Sequence, residues 1–468
     1  MSNYLTSLGN ATSSFSAIEQ AMEVVSNNTT NAATPGYASQ TQSLEADPFD
    51  PAQGAIGGVS AGPVISSRDI YAEINVQNAQ SAINYSSTLA NTLQSVIPLF
   101  SLNTSSNTDT TIGGTLNSLF NSFSSLSVSP NDAATRAGVL NAASNLASAF
   151  NSTYQSLSTT ANGVVADTRS TVASINSLAA DIQQINAQTL RSGGTGPDAG
   201  TDAQLYSDLE NLSKLTNITF NQQADGTTSV YLGGQSALVV GSTQYAISSK
   251  SITTSANTQG TQIVDANGND ITQLATSGQL GGLIDLSNTK LPGYISQLNT
   301  LAQNVADQVN TQLTSGTDQN GNTGQALFSY TAGAAAKTLS VTGITAPHLA
   351  AASTSAQGGN DNAVALQKLQ NATFASLGGA TFTQYYANVS SNVGSDSSNA
   401  SNSETTQQQL LSQAQSLRSN VSGVSLDQQA TLLAEYQQSY DAISKLITVV
   451  NSLVQTVIGL IPGTVATA

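Results

Sequence analysis

Residues 425–460 read SLDQQATLLAEYQQSYDAISKLITVVNSLVQTVIGL, and their apolar positions recur at alternating intervals of three and four residues. The positions that keep this spacing are Leu433, Tyr436, Tyr440, Ile443, Ile447, Val450, Val454 and Val457. Such a heptad seam is typical of a helix that pairs side by side with another helix. Leu446, Leu453 and Leu460 widen the apolar surface, so we expect this helix to contact more than one neighbour.

The other end of the chain has the same design. Its apolar residues at heptad spacing are Tyr4, Leu8, Ala11, Phe15, Ile18, Met22 and Val25. The turn signal Thr34-Pro35-Gly36 ends this helix. An isolated end helix buries too little apolar surface to offset its conformational entropy, so we predict that the two terminal helices pair as a coiled coil. The alternative is that each stripe packs separately on the protein's own core.

The composition favours a structural protein over an enzyme or a nucleic-acid binder. The 468 residues carry a formal net charge of −16, and only 8% of them are charged. Phosphate and anionic membrane surfaces require clustered Lys and Arg, whereas the 11 basic residues are scattered here. Cysteine is absent, which excludes disulfides, thiolate metal sites and cysteine nucleophiles. We expect neither nucleic acid nor membrane as a partner, and no cofactor.

Two features invite a chemical interpretation. His348 is the single histidine, so we interpret it as a passive surface residue rather than as a catalyst. The segment from Asp318 to Gly324 has calcium-loop spacing at its start, but Thr323 occupies the position where an EF-hand needs glycine. We therefore predict a turn at this segment, and we predict no catalytic or metal-binding residues in the chain.

The middle of the chain predicts a discontinuous rod of long helices that flank a small β region. Hairpin signals lie at Asp225-Gly226 and Gly241-Ser242, between short β-prone runs. The Ser- and Asn-rich stretch Val393–Thr406 is interpreted as a flexible linker. The predicted domains are a terminal coiled-coil domain (1–50 and 423–468), a helical rod (60–215, 286–325 and 378–422), a β-hairpin region (216–285) and an outer insertion (326–377).

Four stretches carry a family resemblance. Residues 26–40, SNNTTNAATPGYASQ, resemble the signature loop of flagellar rod, hook and hook-associated proteins, and the Thr34–Tyr37 ending is similar to that of the hook-associated protein 1 family. Residues 422–440 are similar to the start of the family's C-terminal helix. Residues 278–321 and 129–150 also resemble family segments, in the same order. The acidic–basic cluster that the family tends to carry is eroded around Ala203–Asp208.

The resemblance implies a subunit of the hook–filament junction in the bacterial flagellum, exported without a cleaved signal peptide through the type III apparatus. It implies an outer β domain that is reduced or missing here. The implied partners are further copies of the chain, the hook protein, the second junction protein and an export chaperone on the C-terminal helix. The alternatives are another axial protein, from the hook, the rod or the second junction, or a secreted adhesin or hydrolase.

The predicted assembly interface combines the two helix seams with the signature loop. Its residues are Leu8, Phe15, Ile18, Met22, Val25, Asn27, Asn28, Asn31, Pro35, Gly36, Tyr37, Leu433, Tyr436, Tyr440, Ile443, Ile447, Val450, Val454 and Val457.

Overall fold

The structure is a computed structural model, and it describes residues 2–50, 55–101, 110–193, 197–353 and 358–460. The α-helices of this part are α1 (Ser2–Asn31), α2 (Ile70–Val96), α3 (Ile112–Val128), α4 (Ala133–Arg191), α5 (Ala199–Leu215), α6 (Gly278–Asp285), α7 (Leu291–Thr314), α8 (Ala335–Thr338), α9 (Asp361–Lys368), α10 (Phe382–Ser422) and α11 (Leu426–Leu460). The strands are β1 (Gln40–Ala46), β2 (Phe49–Asp50), β3 (Ala55–Ile56), β4 (Val59–Ser66), β5 (Ile218–Gln222), β6 (Thr228–Leu232), β7 (Ser236–Val240), β8 (Thr243–Gln244), β9 (Ser248–Thr253), β10 (Gln259–Val264), β11 (Gly316–Thr317), β12 (Phe328–Ser329), β13 (Ser340–Val341) and β14 (Ala352–Ser353). The predicted fold class, mainly α with a small β part, is confirmed.

Helix α4 connects the two apolar cores of the molecule. Its 59 residues span about 90 Å at 1.5 Å per residue. Asp132 caps its first turn, because the carboxylate accepts the N–H of Thr135 at 2.7 Å. Phe150, in the first half of α4, belongs to a large core that α3, α7 and α10 complete, whereas Ile182 in the second half belongs to a smaller core beneath the β-strands.

Helices α2 and α10 pack along each other and run antiparallel. Glu73 near the start of α2 meets Arg418 near the end of α10, and further along α2 the hydroxyl of Ser86 lies 3.0 Å from that of Ser403. The predicted flexible linker Val393–Thr406 is wrong, since this stretch lies inside α10. Its small residues are the reason: they allow α2 to approach closely, and the face that carries Val393 is buried.

The predicted hairpins are present in the β region. Strands β5 and β6 pair across the turn at Asp225-Gly226, and β7 and β8 pair across Gly241-Ser242. These strands form one sheet in the order β5-β6-β7-β8, while β9 and β10 form a separate pair. The side chain of Asp225 accepts the N–H of Thr227 at 3.0 Å and so stabilises the first turn.

Helical asparagines attach extended segments to the helices. Each of these side chains donates to the carbonyl and accepts from the N–H of one residue, at 2.7–3.0 Å. The pairs are Asn28 with Gln40, Asn176 with Ile247, Asn186 with Thr228, Asn288 with Thr261 and Asn310 with Phe328. The amide thereby completes a backbone pairing without any charge, which suits a chain with so few ionic groups.

Residues 326–353 and 358–377 contain only two-residue strands and short helices, and they pack onto the large core through residues such as Leu349 and Leu366. The predicted turn at Asp318 is present: its carboxylate accepts the N–H groups of Asn320 and Asn322 at 2.8 and 2.7 Å. His348 is partly exposed, and its Nδ1 lies 2.9 Å from the same carboxylate.

No group of three or more acidic or histidine side chains suited to a metal ion occurs in the described residues. Among the described helices, none is both long and apolar enough to cross a membrane.

Candidate assembly site at the terminal helices and the elbow

The first and last helices of the described chain lie against each other. Phe15 of α1 and Tyr440 of α11 stack at a tilt, with ring centroids 4.4 Å apart. Further along α1, the amide of Asn28 donates to Oε1 of Gln429, which lies nearer the start of α11, at 3.1 Å. The residue numbers therefore rise along α1 as they fall along α11, and the helices run antiparallel.

The predicted seam residues lie on the inner side of this pair. Ile18, Val25 and Val450 are buried, and the half-buried seam residues are Leu8, Phe15, Met22, Leu433, Tyr436, Tyr440, Ile443, Ile447 and Val454. The side chains of Tyr4 and Val457 lie outside the described part. Ala17 and Ala21 are buried on α1 as well. Ala11 of the predicted seam is buried too, whereas Ala17 and Ala21 lie between seam positions, so the heptad spacing did not select them.

A second apolar stripe on α11 stays uncovered within the chain. Leu446, Val449 and Leu453 are 52%, 55% and 46% exposed, which is high for large apolar side chains. Leu446 and Leu453 were predicted to widen the apolar surface of this helix; the side chain of Leu460 lies outside the described part. In the single chain this face of α11 contacts solvent.

The two terminal helices meet α2, α5 and α10 at an elbow, which we define as residues 26–40 together with residues 422–429. Asn28 is its centre and is only 1% exposed. Its Nδ2 donates to the carbonyl of Gln40 at 2.7 Å, in addition to Gln429, and its Oδ1 accepts from the N–H of Gln40 and the hydroxyl of Tyr37, both at 2.9 Å. One amide thus joins α1, the signature loop, β1 and α11. Burial raises the pKa of Tyr37, so the phenol stays a donor at neutral pH.

The signature loop turns sharply at its Thr-Pro-Gly-Tyr ending. Tyr37 donates its N–H to the carbonyl of Thr34 at 3.2 Å, and Pro35 is exposed at the tip. Gly36 has φ +74°, a left-handed conformation that favours glycine. A Cβ at this position would overlap the carbonyl oxygen of Ala203, so the loop lies directly against α5. Both geometry and space require glycine here.

The remaining predicted loop residues lie beside this turn. Asn27 is exposed and Asn31 is half-buried. The Nδ2 of Asn31 donates to Oδ1 of Asn27 at 2.6 Å, so these two side chains bond to each other within one helical turn.

A cluster of charged residues lies beneath the elbow. Arg68 contacts Glu73 and Asp202, each at 2.7 Å, and Arg418 contacts Glu73 at 3.1 Å and Glu210 at 2.7 Å. The side chain of Glu73 is only 3% exposed, and it contacts both arginines. Burial opposes the charge of Arg418, but the hydrogen bonds and attraction of Glu210 and Glu73 outweigh it and raise the pKa of Arg418.

The cluster also holds the loop itself. Nη2 of Arg68 donates to the carbonyl of Gly36 at 2.7 Å, and the guanidinium lies 3.7 Å above the ring of Tyr206. Burial is the main reason that the pKa of Tyr206 rises to about 12. The charged network therefore ties the elbow to α2, α5 and α10 at once.

The chain was compared with known proteins. The family model described as "Flagellar hook-associated protein FlgK helical domain" matches residues 102–328, and the model described as "Flagellar basal body rod FlgEFG protein C-terminal" matches residues 415–460. Flagellar hook-associated protein 1 of Salmonella typhimurium is 26% identical, over 97% of this chain and 99% of that protein. The protein of the same name in Bacillus subtilis is 24% identical, over 98% of both chains.

The chain is similar to flagellar hook-associated protein 1 over nearly its whole length.

A solved structure, the flagellar hook junction protein FlgK from Burkholderia pseudomallei, agrees in fold with a TM-score of 0.67 and 16% sequence identity. The alignment covers 75% of this chain and all of the other. The hook-associated protein match at residues 102–328 includes α3 to α7, and the rod-protein match at residues 415–460 includes the end of α10 and all of α11. Helix α1 lies outside both matches, in the part of the chain that is covered only by the similarity to the full-length relatives.

Sequence reasoning missed the charged cluster at the elbow. We expected an eroded acidic–basic cluster around Ala203–Asp208, whereas its acids Asp202 and Glu210 lie just outside that range and its arginines are distant in the chain. The sequence offered one signal for this cluster: it contains only 11 basic residues, so each arginine is a candidate for an ion pair. Only the fold brings Arg68 and Arg418 to the same glutamate.

Proposed function

We propose that this chain is a structural subunit of the bacterial flagellum at the junction between hook and filament. The proposal is supported by similarity to flagellar hook-associated protein 1 over nearly the whole chain, and the observation that carries it is the antiparallel pairing of α1 with α11. In this role the subunit polymerises on the hook and adapts the hook to the filament. The uncovered stripe of α11 is a surface that an adjoining subunit would cover.

The proposed partners follow from the same role. They are further copies of the chain, the hook protein, the second junction protein, and an export chaperone that binds the C-terminal helix before assembly. The proposed location is the extracellular part of the flagellum, reached by flagellar export without a cleaved signal peptide. We propose no catalytic activity, and the seam and loop residues described above are proposed as the assembly interface.

A second candidate function requires a test, because the description of the family model that matches residues 415–460 names basal body rod proteins. The alternative is a hook or rod subunit, which would share the same C-terminal helix. The two candidates differ in the stage at which assembly stops when the subunit fails.

The test is removal of residues 425–468 from the chromosomal gene, followed by electron microscopy of the cells and a swimming assay. We expect complete hooks without filaments, because the paired helix and its outer stripe are gone. Val128→Ser, a change at an 80% exposed position far from the terminal helices in the chain, is the control and should leave filaments intact. Cells without hooks would indicate a hook or rod subunit. Cells that swim normally would refute a junction role and favour an adhesin.

A further inference from the structure

The apolar seam of the terminal helices does not determine their register. Sliding α11 past α1 by seven residues again places apolar side chains opposite apolar side chains, because both seams repeat with that period. The seven-residue series are Leu8, Phe15 and Met22 on α1, and Tyr436, Ile443 and Val450, or Tyr440, Ile447 and Val454, on α11. Such a slip moves one helix by about 10 Å along the other. Something other than the seam must select the observed register.

The buried polar residues among the described parts of α1 and α11 are Asn28 and Gln429, which are 1% and 4% exposed. They hydrogen-bond to each other at 3.1 Å. A slip of one heptad would bring Tyr436 to the place of Gln429, or would require Ser422, the last residue of α10, to leave its hydrogen bonds with Ser39 and Asp69 and move there. In the first case the second N–H of Asn28 faces an aromatic ring, and a buried donor without an acceptor is costly. A slip therefore loses a hydrogen bond that no seam contact replaces.

Asn28 cannot move along with a sliding α11, because other residues also hold it in place. Its amide also pairs with the N–H and the carbonyl of Gln40, and Ser39 next to it donates to the carbonyl of Ser422 at 2.8 Å. The three residues 423–425 that connect α10 to α11 do not prevent a slip by themselves, since the first turns of α11 can unwind to lengthen the connection. The selection therefore rests on the polar pair.

We infer that Asn28 and Gln429 are the register-determining residues of the terminal helix pair. Their role resembles that of a single buried asparagine in a coiled coil, which specifies register at some cost in stability. This inference does not rest on the proposed function, because it concerns how the two ends of one chain align in any setting.

The absence of cysteine makes the register measurable by disulfide formation in the full-length chain. Phe15→Cys with Tyr440→Cys reports the observed register, and Met22→Cys with Tyr440→Cys reports a slip of one heptad. Each pair is made in three backgrounds: otherwise unchanged, with Gln429→Met, and with Gln428→Met. Methionine has the length of glutamine but accepts no comparable hydrogen bond, and Gln428 is the exposed neighbour that serves as the matched control.

We expect the 15–440 pair to cross-link and the 22–440 pair to remain reduced in the unchanged and Gln428→Met backgrounds. In Gln429→Met the ratio of slipped to observed cross-link should rise about tenfold, as expected for the loss of one buried hydrogen bond. An unchanged ratio in Gln429→Met would overturn the inference, as would an equal rise in Gln428→Met. More cross-linking of the 22–440 pair than of the 15–440 pair in the unchanged background would overturn it too, because the register would then not be the observed one.

Discussion

Replacing Gly36 by alanine tests whether the signature loop is built against α5. The position has φ +74°, and an L-residue in this left-handed region costs about 1–2 kcal/mol. In addition, the new Cβ would overlap the Ala203 carbonyl and come within 2.8 Å of the Ser207 nitrogen. Both obstacles are backbone atoms of a helix and cannot rotate away, so the loop must leave α5. We expect a total cost of about 3–4 kcal/mol, since the loop's hydrogen bond with Arg68 is lost as well.

Gly378→Ala is the matched control, because Gly378 has φ +67° but no atom lies within 4 Å of the place that its new Cβ would take. Gly378→Ala should show only the cost of placing an L-residue in the left-handed conformation. The assay is hydrogen exchange of the amides of residues 34–40, read by mass spectrometry. A local cost of about 3 kcal/mol corresponds to exchange about 100-fold faster in Gly36→Ala. If Gly36→Ala costs no more than Gly378→Ala costs at its own loop, the close approach to α5 is wrong.

Three further predictions concern charge and amide groups. Arg418→Met should lower the free energy of unfolding in urea by about 2–4 kcal/mol, because Glu210 loses the cation that it contacts and the buried Glu73 keeps only Arg68, whereas Arg418→Lys keeps the charge and should cost less. Burial raises the pKa of Asp208, so the folded state holds the proton more tightly, and stability falls as the pH rises from about 4 through the folded pKa; Asp208→Asn should remove this pH dependence and stabilise the protein at pH 7 by about 1–2 kcal/mol in urea titrations. Asn186→Asp should destabilise by about 2–3 kcal/mol, because a carboxylate oxygen replaces the N–H that donates to the Thr228 carbonyl at 2.8 Å, while Asn91→Asp at an exposed site should change the midpoint little.

The periodic parts of the fold could be predicted because their signal repeats. The α11 seam recurs over several heptads, and the hairpin turn at Asp225-Gly226 combines a turn residue with flanking β-prone runs. The prediction of a flexible linker at Val393–Thr406 was wrong because this stretch has no repeating apolar signal. A stretch rich in serine and asparagine is typical of a linker when only the local sequence is considered. Here it is helical because it packs against α2, which lies about 300 residues earlier in the chain. The close approach of α2 requires small side chains opposite it.

At the elbow, too, the sequence did not indicate which distant residues are in contact. Asn28 and Gly36 were selected from the resemblance of the loop, but nothing in the sequence indicated that Asn28 bonds to Gln429 or that Gly36 lies against Ala203. Each of these partners is distant in the chain. A pattern within a short window contains no information about which distant residue completes a hydrogen bond.

The sequence by itself determined that two heptad helices lie at the ends of a weakly charged chain, and that long helices and a small β region lie between them. Apolar periodicity carries this information, because burial of one helix face follows from local spacing. Only the tertiary structure decided the antiparallel register, the junction of Arg68 and Arg418 on Glu73, and the asparagine pairs that hold the strands. Those contacts depend on directed hydrogen bonds over a few ångströms, and only the folded chain brings their partners within that distance.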